Sequence, residues 1–154
     1  MKNRIKSILG LFCSAILLMT SVSCTKEDAK SGDSLVGTKW VMAWDDAKEI
    51  IVFTSGTDVR IYEADDNLNY SDFLHEGKYS YNNGKVTFSD EKLFLADVWG
   101  ITMCYYYYFQ SADVNGDVLT VHTTGKKLVI EDLTTGEHTI TEVEGDTFKF
   151  MKVN

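Results

Sequence analysis

From Trp40 to Phe150 the chain alternates apolar and polar side chains with a period of two, and this limits its fold more than any other feature. Trp40, Met42 and Trp44 are interleaved with Lys39, Val41 and Ala43, and Val59 and Ile61 with Asp58 and Arg60. Tyr79 and Tyr81 alternate with Lys78 and Ser80, and Val86 and Phe88 with Lys85 and Thr87. Leu119 and Val121, Leu128 and Ile130, and Phe148 and Phe150 keep the same spacing. Successive side chains of a strand point to opposite faces, so this pattern sets one face on a core and the other toward water, as in antiparallel sheet. Glycines punctuate the segments at Asn83-Gly84, Asn115-Gly116, Thr124-Gly125, Thr135-Gly136 and Glu144-Gly145. The two Asn-Gly pairs are strong hairpin signals, because a type I′ turn needs positive φ at both central residues. The expected fold is all-β: an up-and-down antiparallel meander of eight or nine strands. A sheet that long removes its edges by closing into a barrel or splitting into two layers.

Two stretches depart from the alternation. Asp65 to His75 is polar and reads as a long loop. Glu91 to Gly100 carries Leu93, Phe94, Leu95, Val98 and Trp99 without a clean period, and reads as an irregular strand or a short helix. Departures from a meander gather where a barrel opens, so both are candidate rims of a site.

The run Tyr105-Tyr106-Tyr107-Tyr108-Phe109 is the most unusual internal segment. On a strand, Tyr105, Tyr107 and Phe109 share one face, and Tyr106 and Tyr108 the other. A strand with one face in water does not need aromatic rings on both. One face could line a cavity whose phenols and rings hold a ligand, or one could be core while the other packs under a loop or against a neighbouring molecule. Trp44 and Trp99 join Tyr105, Tyr107 and Phe109 as candidate ligand-binding residues, and Trp40 is the candidate structural plug.

Catalytic and metal-binding patterns are scarce. His75, His122 and His138 stand singly, without the His-x-His spacing of a strand-borne zinc site. Asp113-Val114-Asn115-Gly116-Asp117 looks superficially like the start of a calcium loop, but its glycine comes two places early and Thr124 stands where the closing glutamate belongs. It reads as a hairpin turn. The acidic pairs Asp45-Asp46 and Asp65-Asp66 have no spacing that separates an acid from a nucleophile. No nucleophile elbow or phosphate loop occurs, so the expectation is a protein that is not an enzyme and uses no cofactor or metal. Cys104, between Met103 and Tyr105, reads as a small buried apolar side chain.

The N-terminus has a different character. Lys2, Arg4 and Lys6 precede an apolar run from Ile8 to Met19, then small residues, then Cys24. That apolar run is shorter than the roughly 20 residues a membrane-crossing helix needs. Ser21-Val22-Ser23-Cys24 resembles the lipobox of bacterial lipoproteins, which implies cleavage before Cys24 and a lipid on its sulfur. Lys26-Glu27-Asp28 resembles the export tag of surface lipoproteins of the Bacteroidota. The implied layout is a signal peptide over 1–23, a lipidated flexible tether over 24–34 and one β domain over 35–154. The implied location is the outer membrane, lipid-anchored, at the cell surface or otherwise facing the periplasm. The whole chain has 15 basic and 23 acidic residues; the signal holds three of the basic ones and no acid, leaving 12 against 23, a net charge of −11. Such a surface repels nucleic-acid phosphates and would attract a cationic partner.

The segment Leu35-Val36-Gly37-Thr38-Lys39-Trp40 is similar to the opening of lipocalin-like small barrels, where a tryptophan after a glycine plugs the closed end. Here one extra residue separates Gly37 from Trp40. The family also covers that tryptophan with an arginine near the last strand, where this chain offers only Lys149 and Lys152. The resemblance is to a lipocalin-like lipoprotein domain with a closed or nearly closed barrel. It implies non-enzymatic binding of a small apolar or aromatic-stacking ligand. The alternative is an acidic interaction module, an accessory subunit or inhibitor of a cationic protein.

Overall fold

The computed structural model describes residues 34–44, 47–70 and 73–154. The proposed signal peptide, Cys24 and the tether up to residue 33 lie outside them, as do Asp45 and Asp46. The described chain folds into ten strands: β1 (Lys39–Ala43), β2 (Lys48–Phe53), β3 (Asp58–Ala64), β4 (Phe73–Asn82), β5 (Lys85–Phe88), β6 (Phe94–Val98), β7 (Met103–Asn115), β8 (Val118–Asp132), β9 (Glu137–Val143) and β10 (Thr147–Val153). All pairings are antiparallel. The ring β1-β2-β3-β4-β5-β7-β8-β10 closes on itself through β1–β10 and β7–β8, giving an eight-stranded barrel with β6 and β9 as two further strands.

The long β7–β8 hairpin explains those two. Its turn-proximal half is barrel wall: Ser111 to Asp113 pair with β5, and Val118 to His122 with β10. Its distal half runs past the wall as an arm, with Cys104 to Tyr108 flanked by β6 and Gly125 to Asp132 by β9. The register of β7 on β8 shifts between Phe109 and Ser111, where wall becomes arm. Bulges bend and twist a strand at such points. The stretch expected to be irregular, Glu91 to Gly100, thus contains the ordinary strand β6, and the polar stretch Asp65 to His75 ends in the first residues of β4.

The turns divide into those read correctly and those that are something else. At Asn83-Gly84 both residues have positive φ, 48° and 79°, between the paired Asn82 and Lys85, as a type I′ turn requires. At the second Asn-Gly, Asn115 still pairs with Val118, so the loop is Gly116-Asp117 with φ 59° at Gly116, the arrangement of a type II′ turn. The calcium-like stretch is this hairpin. Thr124-Gly125 is not a turn: Gly125 sits inside β8, paired with Tyr107 and Val143. A Cβ on Gly145, between β9 and β10, would lie 1.7 Å from the Thr123 carbonyl oxygen. The two glycines let the β9–β10 connection cross β8 backbone to backbone.

Trp40, Ile51, Phe53, Val59, Ile61, Val86, Phe109, Leu119, Val121 and Phe150 fill the barrel axis within one apolar cluster. Trp40 is only 1% exposed, and its indole N–H donates to Thr38 Oγ1 at 2.9 Å. Lys152, from the last strand, places its ammonium 5.9 Å from the Trp40 ring centroid. A lysine thus lies over the buried Trp40 ring. β2 does not alternate, because its outward Ile50 and Val52 are also buried, in a small outer cluster with Ala64 that Tyr62, Leu68 and Tyr70 pack against.

Candidate functional site

At the end opposite the β7–β8 turn, the inward face passes from the closed core to a strip of partly exposed aromatic rings. Trp44, just after β1, meets Phe148 of β10 with ring centroids 5.6 Å apart. Phe148 meets Tyr107 edge-on at 5.1 Å, Tyr107 stacks on Tyr105 at 6.4 Å, and Tyr105 meets Trp99 at 5.8 Å. The result is an unbroken chain of five rings, from the mouth of the barrel along the inner face of the arm. It begins at the core, against which Trp44 and Phe148 pack, and ends in solvent, where Trp99 is 69% exposed. The Trp99 indole N–H donates to Asp97 Oδ2 at 2.8 Å, and the Lys127 ammonium sits 5.7 Å from the Tyr105 centroid.

Beside Trp44 the barrel places a carboxyl in an apolar setting. Glu49 pairs with Met42 and Glu63 and has the inward phase of Ile51 and Phe53. Burial pushes its carboxyl from 4.5 up to about 7; the Trp44 indole beside it works in the opposite direction, and the charge on Glu63 adds to the rise. Glu49 Oε2 is shielded from solvent and has no hydrogen-bond partner. Within the arm, burial followed by the charges of Asp97 and Asp146 holds the Tyr107 phenol above its ordinary value.

The other face of the tyrosine run does different work. Tyr106 and Tyr108 pack on Phe94 of β6, at 5.5 and 5.3 Å. They also border a shallow cleft of about 370 Å³ with Leu128, Ile130, His138 and Ile140. Cys104 lies at the arm's distal end, half-buried rather than enclosed, with Sγ 3.6 Å from the Tyr105 carbonyl oxygen.

Of the residues singled out from the sequence, the structure brings Trp44, Tyr105, Tyr107 and Trp99 into one ring chain. It places Phe109 elsewhere: 2% exposed, against Phe88 and Phe150 inside the barrel. The bulge after Phe109 and the start of the closed wall there make it core. Sequence reasoning missed Phe148 and Glu49. The signal for Glu49 lay in Lys48-Glu49-Ile50-Ile51-Val52-Phe53, where one acid shares its phase with two core residues. His122 pairs with Asp113 at 2.9 Å, and no group of three potential metal ligands occurs among the described residues. No protein-family model, curated protein or solved structure matches this chain.

Proposed function

We propose that this domain is a non-enzymatic binding module, carried on an outer-membrane lipoprotein, that takes a small apolar or aromatic-stacking ligand at the barrel mouth. The observation that carries this reading is the five-ring chain from Trp44 to Trp99, which offers stacking faces graded from buried to exposed. Rings left half-open at a barrel mouth contribute stacking and apolar area only when something covers them. Titration of the full-length protein with 3-phenylpropan-1-ol, a neutral probe, tests it. A saturable change in tryptophan fluorescence that disappears in Trp44→Ala/Tyr107→Ala is expected; no saturable change in the wild type refutes it. The lipid anchor on Cys24 is a separate element of the proposal. Palmitate labelling should be lost in Cys24→Ala, and unchanged labelling overturns it.

A second reading has its own observation. β9 pairs only with β8, is exposed along nearly its whole length, and lies in an acidic stretch with Glu137, Glu142, Glu144 and Asp146. An open edge of that charge suits a cationic protein that adds a strand. Capture that weakens steeply between low and moderate salt would favour this reading over the first.

A further inference from the structure

We infer that the ligand of the barrel mouth is a cation, an amine or quaternary ammonium on an apolar or aromatic body, whose charge is received by Glu49 while its body lies on the rings from Trp44 to Tyr105. The inference rests on the reading of the mouth as a ligand site, and it adds the ligand's charge.

Three observations support it. Glu49 Oε2 is out of solvent and accepts no hydrogen bond, although buried carboxylate oxygens are ordinarily satisfied. The charged group that acts on Glu49 from a packed neighbour is another acid, Glu63 of β3; the residue just after β1 contributes only the Trp44 indole. The nearest lysine in the chain, Lys48, is engaged on the outer side, 3.0 Å from the Asp66 carbonyl oxygen and 3.1 Å from its carboxylate. No described side chain therefore supplies the missing positive charge. Beside this carboxyl stands the Trp44 indole, and from it the ring chain leads through Phe148 to Tyr107; the faces of such rings are electron-rich and attract ammonium groups. A buried carboxylate at the head of an aromatic strip meets both needs of an organic cation, a counter-charge and an apolar wall, and offers an anion neither. Burial has already shifted the Glu49 proton equilibrium toward the neutral acid at neutral pH, so a ligand that brings a positive charge draws the carboxylate out.

The experiment compares three soluble probes of one shape on the full-length protein: 3-phenylpropylamine, 3-phenylpropan-1-ol and 3-phenylpropanoate. At pH 8 the amine should bind about ten-fold or more tighter than the alcohol, the gain expected of a charge-assisted hydrogen bond, and the propanoate should bind weakest. In Glu49→Gln that preference should vanish while alcohol binding persists, and Glu63→Gln should keep most of it. Lowering the pH to 5 should shrink the preference in the wild type. If the alcohol binds and the amine binds no tighter, or the preference survives in Glu49→Gln, the assignment of Glu49 fails while the mouth remains a site. If none of the three binds, both readings fail.

Discussion

Replacing Glu49 by glutamine should stabilise the protein at alkaline pH and change little at acid pH. Burial raises this carboxyl from 4.5 to about 7, so the folded protein holds the proton more tightly than the unfolded chain does. At pH 4 both states are protonated and the group costs nothing. Between about 4.5 and 7 the unfolded chain ionises while the folded protein does not, so stability falls as pH rises, and above 7 the full cost persists. At 1.36 kcal/mol per pH unit the shift corresponds to about 3 kcal/mol, and residual solvent contact brings the expected value to about 2–3 kcal/mol. Glutamine has nearly the shape of the neutral acid and cannot ionise, so it removes the alkaline cost. For a domain of roughly 120 residues, each kcal/mol moves Tm by about 4 °C. Thermal melts of both proteins at pH 4.5, 6, 7 and 8.5 should therefore separate progressively, from about 0–2 °C at the lowest pH to about 8–12 °C at the highest. A difference independent of pH, or a variant less stable than the wild type at pH 8.5, would refute the reasoning.

Three other outcomes follow from particular contacts. Gly145→Ala pushes a Cβ to 1.7 Å from the Thr123 carbonyl oxygen, so urea unfolding should show a loss above about 3 kcal/mol, beyond the usual range of single substitutions. Lys152→Ala should cost about 1 kcal/mol and Lys152→Arg nearly nothing, because either cation can sit over the Trp40 ring; equal losses in both variants would show that the ring does not use the charge. Hydrogen bonds from Lys78 and Ser55 hold the Asp58 carboxyl at about 2, so its NMR titration should have a midpoint near that value and move up toward 4 in Lys78→Met.

The aromatic strip shows how far the pattern of residues can be read. Alternation alone separated Tyr105 and Tyr107 from Tyr106 and Tyr108, because a strand's period fixes which side chains share a face. It carried Phe109 along with the first pair, since an alternating pattern contains no sign of a bulge and none of where wall becomes arm. Cys104 was expected in the core on the strength of its neighbours; the structure leaves it half-buried because β7 there has already left the barrel. Gly125 read as a turn because glycine is common in turns, but it lies inside β8, whereas Gly145 does fall in the β9–β10 connection; at both, the lack of a side chain serves a crossing of two backbones. Glu49 was hidden in a run without alternation, whose outward side chains are covered by a second cluster.

By itself the sequence determined the strand class, the antiparallel hairpins and the meander order, because these depend on side-chain period and on turn residues a few positions apart. Tertiary structure alone decided the closure of β1 on β10, the arm beyond the barrel, the lysine over Trp40, and the meeting of Phe148 with Trp44 on one side and Tyr107 on the other. Those contacts join residues separated by 40 positions or more in the chain. Their proximity is set by the number of strands in the ring and the register of each pairing, and a one-residue slip would send every side chain of a strand to the other face.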